Sequence, residues 1–302
     1  MVPAAPIALR SRLAFSWIDV LVLGTVAGFV AFVAYRLTDV LNYHWHWSRI
    51  AVYLVRWDSE RGTWVANLLL QGFFMTLRLA VWGIFWAGVL GLIMGVFRTS
   101  RSHAARFSAS LYVGLVRNTP PLVFIFIFYF FISSQLVPLL GLENLVAAQS
   151  PATAAVIGFL CGDPKLFVNF LTGLMCLALF EGAYVTEIVR AGIGSIERGQ
   201  REAGGALGLS RGQLLLLIVL PQAFRRILPP LAGQFISLIK TSSIVSLISI
   251  QELTFSAGEV AVTTSAVFEV WLTVAAMYFG ICYLCSTAFS RLERRFSSRG
   301  GN

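Results

Sequence analysis

The chain has 302 residues, of which 57% are hydrophobic and only 12% are charged, about half the charged fraction of an average soluble domain. The apolar residues stand in long runs and the mean hydropathy is +0.78, which predicts an all-α integral membrane protein and excludes an ordinary soluble enzyme. The net charge of +9 does not indicate a nucleic-acid partner, because most basic residues flank the apolar runs.

Six runs are long enough to cross a bilayer, which takes roughly 20 apolar residues per helix. The predicted spans are 18–35, 66–97, 111–132, 166–189, 224–250 and 266–289. A shorter apolar segment, 147–161, is predicted to be an interfacial or re-entrant piece. The first run follows Arg10 and Arg12 but exceeds the apolar core of a cleaved signal peptide, about 7–15 residues. It is therefore interpreted as an uncleaved anchor.

The basic residues are distributed unequally between the two sides of the predicted membrane. Fifteen of the 23 Lys and Arg residues precede the first span, follow the last, or lie in the loops 98–106 and 190–226. Five lie on the opposite side, and Arg78, Arg117 and Lys240 lie within or beside spans. Because Lys and Arg are enriched in cytoplasmic loops, both termini and the 190–226 loop are predicted to be cytoplasmic.

The most informative segment is a polar break between two apolar runs, residues 202–221, EAGGALGLSRGQLLLLIVLP. It resembles the EAA loop of type I ABC importer permeases: E-A-A, three residues, Gly, nine residues, Ile, one residue, Leu-Pro. Gly204 stands where the family usually has Ala. In that family the loop forms a short cytoplasmic coupling helix that docks on an ATP-hydrolysing subunit. The resemblance implies this role for Glu202, Ala203, Gly204, Gly208, Leu220 and Pro221.

Elementary conformational preferences suit this segment to a coupling helix. Gly208 can adopt a positive φ and end the helix, and Ser210 is predicted to cap the next helix with Gln213 as its capping-box partner. Pro221 is predicted to bend that helix near its start. An ordinary helix-turn-helix is the competing interpretation, and the spacing of Gly208 and Leu220-Pro221 favours coupling.

Five further segments resemble the polar amino acid branch of these permeases, the histidine, glutamine and arginine uptake type. They are GFFMTLR (72–78), VGLVRNTPPLVFIFIFY (113–129), GAYVTEIVRAGIG (182–194), FISLIKTSS (235–243), which lacks the family's Asp, and LERRF (292–296). The resemblance covers about residues 70–297 and implies a five-span permease core with one extra N-terminal transmembrane helix. The implied division is an N-terminal tail, helix and exported loop (1–65), a transmembrane domain (66–290) with its coupling loop at about 190–222, and a basic tail (291–302).

Charged side chains within spans are costly and indicate function by default. A zwitterionic amino acid in transit needs both signs of charge along its path, so Glu181 and Lys240 are the candidate pathway residues, together with the adjoining Thr241 and Ser242. A structural ion pair, or a Lys240 side chain that reaches the membrane interface, is an equally weighted alternative. Glu187 and Arg190, three residues apart, are predicted to form a pair on the surface of one helix.

Two patterns concern helix packing and helix starts. Gly91 and Gly95 form a G-x-x-x-G pattern, which allows close helix contact either in a dimer interface or within one subunit. Pro120 and Pro121 stand at the entrance to the third span, where proline is tolerated at a helix start.

The resemblance implies the permease subunit of an ATP-driven importer for a polar or charged amino acid, in a bacterial inner membrane. Its implied partners are an ABC ATPase dimer, a second permease chain that is either the same or a sister, and an extracytoplasmic solute-binding protein. The chain contains no G-x-x-x-x-G-K-[ST] loop, so neither catalytic residues nor a cofactor of its own is expected. ATP and Mg²⁺ belong to the partner ATPase.

Three other interpretations are less favoured. An ion-gradient-driven secondary transporter is the alternative function, but such proteins usually show inverted repeats and broken helices, which are not visible here. A membrane enzyme would need a converging catalytic set, and His44, His46 and His103 fall on opposite predicted sides. No metal site is expected, because neither the His44-Trp45-His46 nor the Cys282-x-x-Cys285 pattern has further ligands nearby.

Overall fold

A computed structural model describes residues 16–36, 39, 43–60, 62–139, 141 and 151–297 of the chain. Arg10 and Arg12, which precede the predicted anchor helix, and the tail from 298 lie outside the described residues. The chain divides into two units, 1–46 and 47–302. The first contains helix α1 (Trp17–Tyr35), which begins with a capping box between Ser16 and Asp19 and has no buried residue.

The second unit begins with helix α2 (Trp47–Leu54) and an antiparallel hairpin of β1 (Val55–Asp58) and β2 (Thr63–Ala66). Helices follow to the end of the described chain. They are α3 (Leu68–Thr99), α4 (His103–Arg117), α5 (Pro121–Leu139), α6 (Pro151–Leu160), α7 (Phe167–Gly194), α8 (Arg198–Ala206), α9 (Arg211–Ile248), α10 (Leu253–Thr264) and α11 (Val267–Ser297). Wider π-helical turns interrupt α5 over Phe128–Ser133 and α9 over Leu214–Val219.

Six described helices are long and apolar enough to span a membrane, as the sequence predicts. They are Trp17–Tyr35, Leu68–Thr99, Pro121–Leu139, Pro164–Gly194, Arg211–Ile248 and Val267–Arg294. The third span begins ten residues later than predicted, because α4 ends at its C-cap Asn118 and Pro121 starts a separate helix. The short α6, 10 residues, is too short to cross a bilayer, and residues 147–150 of the predicted interfacial segment lie outside the described chain.

The glycines of the G-x-x-x-G pattern lie against α7 of the same chain. A Cβ added at Gly91 would lie 2.5 Å from Val185 Cγ1, and one added at Gly95 would lie 2.5 Å from Val189 Cγ1. Real Cβ atoms do not approach so closely, so the two backbones are in contact only because these residues lack side chains. The pattern therefore serves packing within one subunit, which was one of its two predicted uses.

We expect Gly91→Ala to lower the melting temperature of the purified protein in detergent, because its methyl group would overlap the Val185 side chain and also lie 3.0 Å from the Val185 carbonyl carbon. Overpacking of this kind costs about 1–3 kcal/mol. The matched control is Gly88→Ala on the same helix, where the new Cβ meets nothing within 4 Å. Equal melting temperatures for the two variants would contradict the packing described here.

A second contact region joins the start of the unit to its end. Ile50 of α2 packs with Leu69 of α3, Leu253 of α10 and Val270 of α11 in one buried apolar cluster. The Asn67 amide also donates to the Val52 carbonyl at 2.7 Å. Helix α10 is thereby held against the N-terminal end of α3.

Candidate coupling loop and transport pathway

Helix α8 has one face against the protein and one face open. Gly204 is buried, and a Cβ there would lie 2.4 Å from Leu214 Cδ1 and 2.8 Å from Ile218 Cδ1, both on α9. The rest of its last turns is exposed: Glu202, Ala203, Gly205 and Ala206. In these last turns the exposed face therefore consists of small residues and one carboxylate, which permits close approach by a second protein, whereas the first turn exposes Arg198 and Gln200.

Backbone hydrogen bonds define the turn from α8 into α9. Gly208 has a φ of 78°, and its N–H donates to the Gly205 carbonyl at 3.0 Å, while the Leu209 N–H donates to the Gly204 carbonyl at 3.2 Å. These two bonds form a Schellman motif, which ends the helix. Ser210 and Gln213 then form the predicted capping box, with the Gln213 side chain accepting from the Ser210 N–H at 2.9 Å.

Leu220 and Pro221 follow the π-helical stretch of α9 directly. Proline has no N–H for the carbonyl one turn earlier, and a wider turn is one way for a helix to accommodate such a lost bond. Leu220 is half-buried and packs beside the cluster of Ile196, Val219 and Ala223, whereas Pro221 is exposed.

Two arginines connect the loop to the C-terminal end of α7. The Arg201 Nη2 atom donates to the Ile193 carbonyl at 2.5 Å, and the Arg226 guanidinium donates to the Ser195 carbonyl. Charged donors on the last carbonyls of a helix are favourable, because they complete its hydrogen bonding and oppose its dipole. Helices α7, α8 and α9 therefore meet in one fixed arrangement.

One exposed residue of the loop was not singled out by sequence reasoning. Leu207 is the C-cap of α8 and is 80% exposed. A single exposed apolar side chain is common on protein surfaces, and what makes Leu207 a candidate contact is its place next to the exposed face of α8. The sequence signal is its place immediately before the helix-ending Gly208, where a protruding side chain is expected.

The predicted pathway residues do not all come together. Glu181 of α7 is 1% exposed and accepts a hydrogen bond from the Gln234 amide of α9. The Thr241 side chain is also near Glu181, and its hydroxyl donates to the Ser237 carbonyl of its own helix. Lys240 is exposed and lies near Cys282 of α11 instead. The Ser242 hydroxyl is buried and donates to the Ile239 carbonyl of its own helix. Glu181, Gln234 and Thr241 thus form the polar group between α7 and α9, and a pathway role for it stays a prediction.

Glu187 and Arg190 form the predicted pair, with Arg190 Nε 2.7 Å from Glu187 Oε2. Arg98 at the end of α3 also contacts this carboxylate, with Nη2 2.9 Å from Oε1, and its Nη1 lies 2.5 Å from the Ser110 Oγ of α4. The charges therefore connect three helices and not only one helix surface.

Glu252, which sequence reasoning did not single out, is fully buried at the start of α10. Its Oε1 accepts from the Phe255 N–H at 2.9 Å, and its Oε2 accepts from the Tyr278 hydroxyl at 2.7 Å. The Thr76 hydroxyl of α3 lies 3.3 Å from Oε2. Burial raises the pKa of Glu252, and the surrounding hydrogen bonds oppose this rise only in part.

We expect the melting temperature of the protein to fall, relative to that of a Glu252→Gln variant, as the pH rises above about 4. The carboxyl group with a raised pKa stays protonated longer in the folded chain than in the unfolded chain, so stability is highest below the unfolded pKa and declines up to the folded pKa. Differential scanning fluorimetry in detergent across pH 4–8 measures this. The control is Glu259→Gln, an exposed carboxyl on the same helix, and parallel curves for wild type and Glu252→Gln would contradict the assignment.

The second unit thus has the form of a multi-span helical membrane protein with one short helix, α8, that lies between α7 and α9 and has an exposed face. The family model described as "Binding-protein-dependent transport system inner membrane component" matches residues 87–298. The chain belongs to this family.

Curated relatives and solved structures agree with this assignment. The chain is 35% identical over 228 residues to the glutamine transport system permease protein GlnP of Escherichia coli K12, covering 76% of this chain and 92% of the relative. It is 32% identical over 243 residues to the L-cystine transport system permease protein TcyB of Bacillus subtilis 168, covering 80% and 91%. A solved "amino acid ABC transporter with histidines" is 31% identical with a TM-score of 0.59, covering 76% of this chain and 94% of that one.

A methionine transporter structure, MetNI, matches with a TM-score of 0.54 over 76% of this chain and 95% of that chain, and at 18% identity it shows the fold alone. The predicted fold class, a type I ABC permease core with additional N-terminal helix, is thereby confirmed. The protein is a multi-pass inner-membrane permease subunit, and ATP hydrolysis in such a system takes place on a separate ATPase subunit.

Proposed function

We propose that this chain is the permease subunit of an ATP-driven importer for a polar or charged amino acid. The observation on which the proposal depends is α8, whose open face of small residues ends in the exposed Leu207 and a rigid turn. The amino acid class is supported by the names of the relatives, which are described as glutamine and L-cystine permeases.

In this proposal both termini and α8 face the cytoplasm, and α8 docks on an ABC ATPase dimer that binds ATP and Mg²⁺. A second permease chain, either identical or a sister, completes the pathway, and an extracytoplasmic solute-binding protein delivers the amino acid. The transmembrane domain spans 66–290, with the coupling loop at about 190–222. The contacts among α7, α8 and α9 support this coupling, because a movement of α8 would be passed directly to the end of α7 and the start of α9.

Glu181, Gln234 and Thr241 are the proposed polar group along the pathway. They lie where α7 and α9 face each other. Gln234 and Thr241 belong to α9, which begins directly after the turn at Gly208 and Ser210. Lys240 and Ser242 are proposed to act at its edge, since Lys240 is exposed beside α11 and Ser242 begins the 3-10 segment Ser242–Ile248 that ends α9.

We expect Leu207→Asp to reduce copurification of the ATPase subunit at least about tenfold, because a charge replaces an apolar docking contact whose loss costs 1–3 kcal/mol or more. The measurement is a detergent pull-down of the tagged chain from its native membranes, with the bound proteins quantified by mass spectrometry. The matched control is Val262→Asp, which is 84% exposed at the end of α10 away from the loop and should retain the ATPase.

Two results would count against the proposal. Absence of any ATPase with the wild-type chain would remove the importer function and favour the ion-gradient alternative. Equal recovery from Leu207→Asp and wild type would show that α8 is not the docking element.

A further inference from the structure

A cavity of about 380 Å³ lies beside the N-terminal part of α3, between the loop that follows α6 and the start of α10. Its polar lining includes both signs of charge, Arg78 and Asp163, together with Gln71, Gln251 and Ser256. Binding sites for small molecules have volumes of roughly 300–1,000 Å³ with a few converging polar groups. None of these residues belongs to the coupling loop or to the group around Glu181.

Arg78 stands ten residues after Leu68, the first residue of α3, which places it about 15 Å along the helix at 1.5 Å per residue. Helix α3 is one of the described helices long and apolar enough to span a membrane. A charged side chain within such a helix is costly and indicates a functional contact by default.

The described contacts of Arg78 use part of its hydrogen-bonding capacity, and none of them is with a carboxylate. Its Nε donates to the Phe159 carbonyl at 3.1 Å, and its Nη2 lies 3.5 Å from the Gly158 carbonyl. Within the described residues Arg78 forms no ion pair, and its Nη1 faces the cavity wall at Gly162, 3.7 Å from where a Cβ would stand. A guanidinium with a free edge is the group best suited to a carboxylate.

Asp163 follows Gly162 directly and is exposed to the cavity. Its Oδ1 accepts from the Lys165 N–H at 2.9 Å, capping the short turn Pro164–Leu166. The carbonyls of Gly158 and Phe159 hold the Arg78 guanidinium in place, and it forms no ion pair with Asp163. The two opposite charges therefore line one cavity without forming an ion pair with each other.

We propose that this cavity binds the α-carboxylate and α-ammonium groups of the transported amino acid, the carboxylate at Arg78 and the ammonium at Asp163. The inference rests on the proposed function as an amino acid importer. A zwitterion supplies the missing counter-charge to each side chain at once, which neither a sugar nor a simple ion does. Recognition here concerns the groups that all amino acids share, and leaves side-chain selection to other contacts.

Arg78 also caps the C-terminal end of α6, so a test must separate binding from this structural contact. Trp82 provides the matched control, because its indole N–H donates to the Leu160 carbonyl of the same helix end at 3.2 Å without lining the cavity. Trp82→Phe removes one such cap and leaves both cavity charges in place.

The first measurement is uptake of a tritiated mixture of the twenty L-amino acids by proteoliposomes. These contain the complete transporter with its ATPase and binding protein, and ATP inside. We expect Arg78→Gln and Asp163→Asn each to reduce uptake about tenfold or more, since hydrogen bonds to charged groups are lost. Trp82→Phe should stay within about twofold of wild type. Wild-type uptake by Arg78→Gln would overturn the site.

The second measurement detects occupancy of the cavity and does not depend on transport. A Gln71→Cys variant is treated with N-ethylmaleimide, and modification at position 71 is followed by peptide mass spectrometry with and without the amino acid mixture. The proposed site predicts that free amino acids slow the modification of position 71 and that their α-amides, which lack the carboxylate, slow it less. With Arg78→Gln added, the free amino acids and the α-amides should have equal effects. Absence of protection would overturn the site. Protection without any ATP-dependent uptake by the wild-type transporter would retain the site and remove the proposed function.

Discussion

The close contact of α3 with α7 is the constraint on which the rest of the structure depends. Lipid offers apolar side chains as good an environment as another helix does, so helices in a membrane associate through packing and hydrogen bonds. Gly91 and Gly95 allow Val185 and Val189 to approach the α3 backbone. This contact places Arg98 beside Glu187 and fixes the end of α7, whose carbonyls at Ile193 and Ser195 hold the coupling loop.

Helix α9 connects the two regions that the proposed function links. It begins at the turn after Gly208, and its residues Gln234 and Thr241 contact Glu181 of α7. A rigid-body movement of α8 that is passed to α9 therefore changes the surroundings of a buried carboxyl group. Breaking the hydrogen bonds of a group buried this deeply is costly, so the α7–α9 contact favours two discrete arrangements over a gradual slide.

Local patterns in the sequence were sufficient for the features that depend on neighbouring residues. The six spans follow from runs of apolar residues, and the turn at Gly208, Ser210 and Gln213 follows from capping rules that operate within four residues. The family was recognisable for the same reason, since the motif of the candidate coupling loop is contiguous. The start of the third span was placed too early because the C-terminal part of α4 is apolar and looks continuous in sequence with α5. In the structure Asn118 ends α4 and Pro121 starts α5.

The features that sequence reasoning missed depend on residues far apart in the chain. Glu252 meets Thr76 across 176 positions, and Arg78 meets Phe159 across 81. Neither pairing has a periodic signal, and each polar residue alone resembles many others at a helix end. The contact of Glu181 is of the same kind: an ion pair with Lys240 was one alternative that the sequence offered, whereas in the structure Gln234 faces the carboxylate and Lys240 is exposed.

The turn between α8 and α9 has a consequence for how such permeases diverge. Its geometry is set by Gly208, Ser210 and Gln213 and by backbone groups, whereas the exposed side chains Glu202 and Leu207 take no part in those bonds. If α8 docks on the ATPase as proposed, recognition can therefore change by substitution at the exposed positions while the turn keeps its shape. Duplicated permeases in one cell could in this way acquire separate ATPases, or continue to share one, without rebuilding the membrane domain.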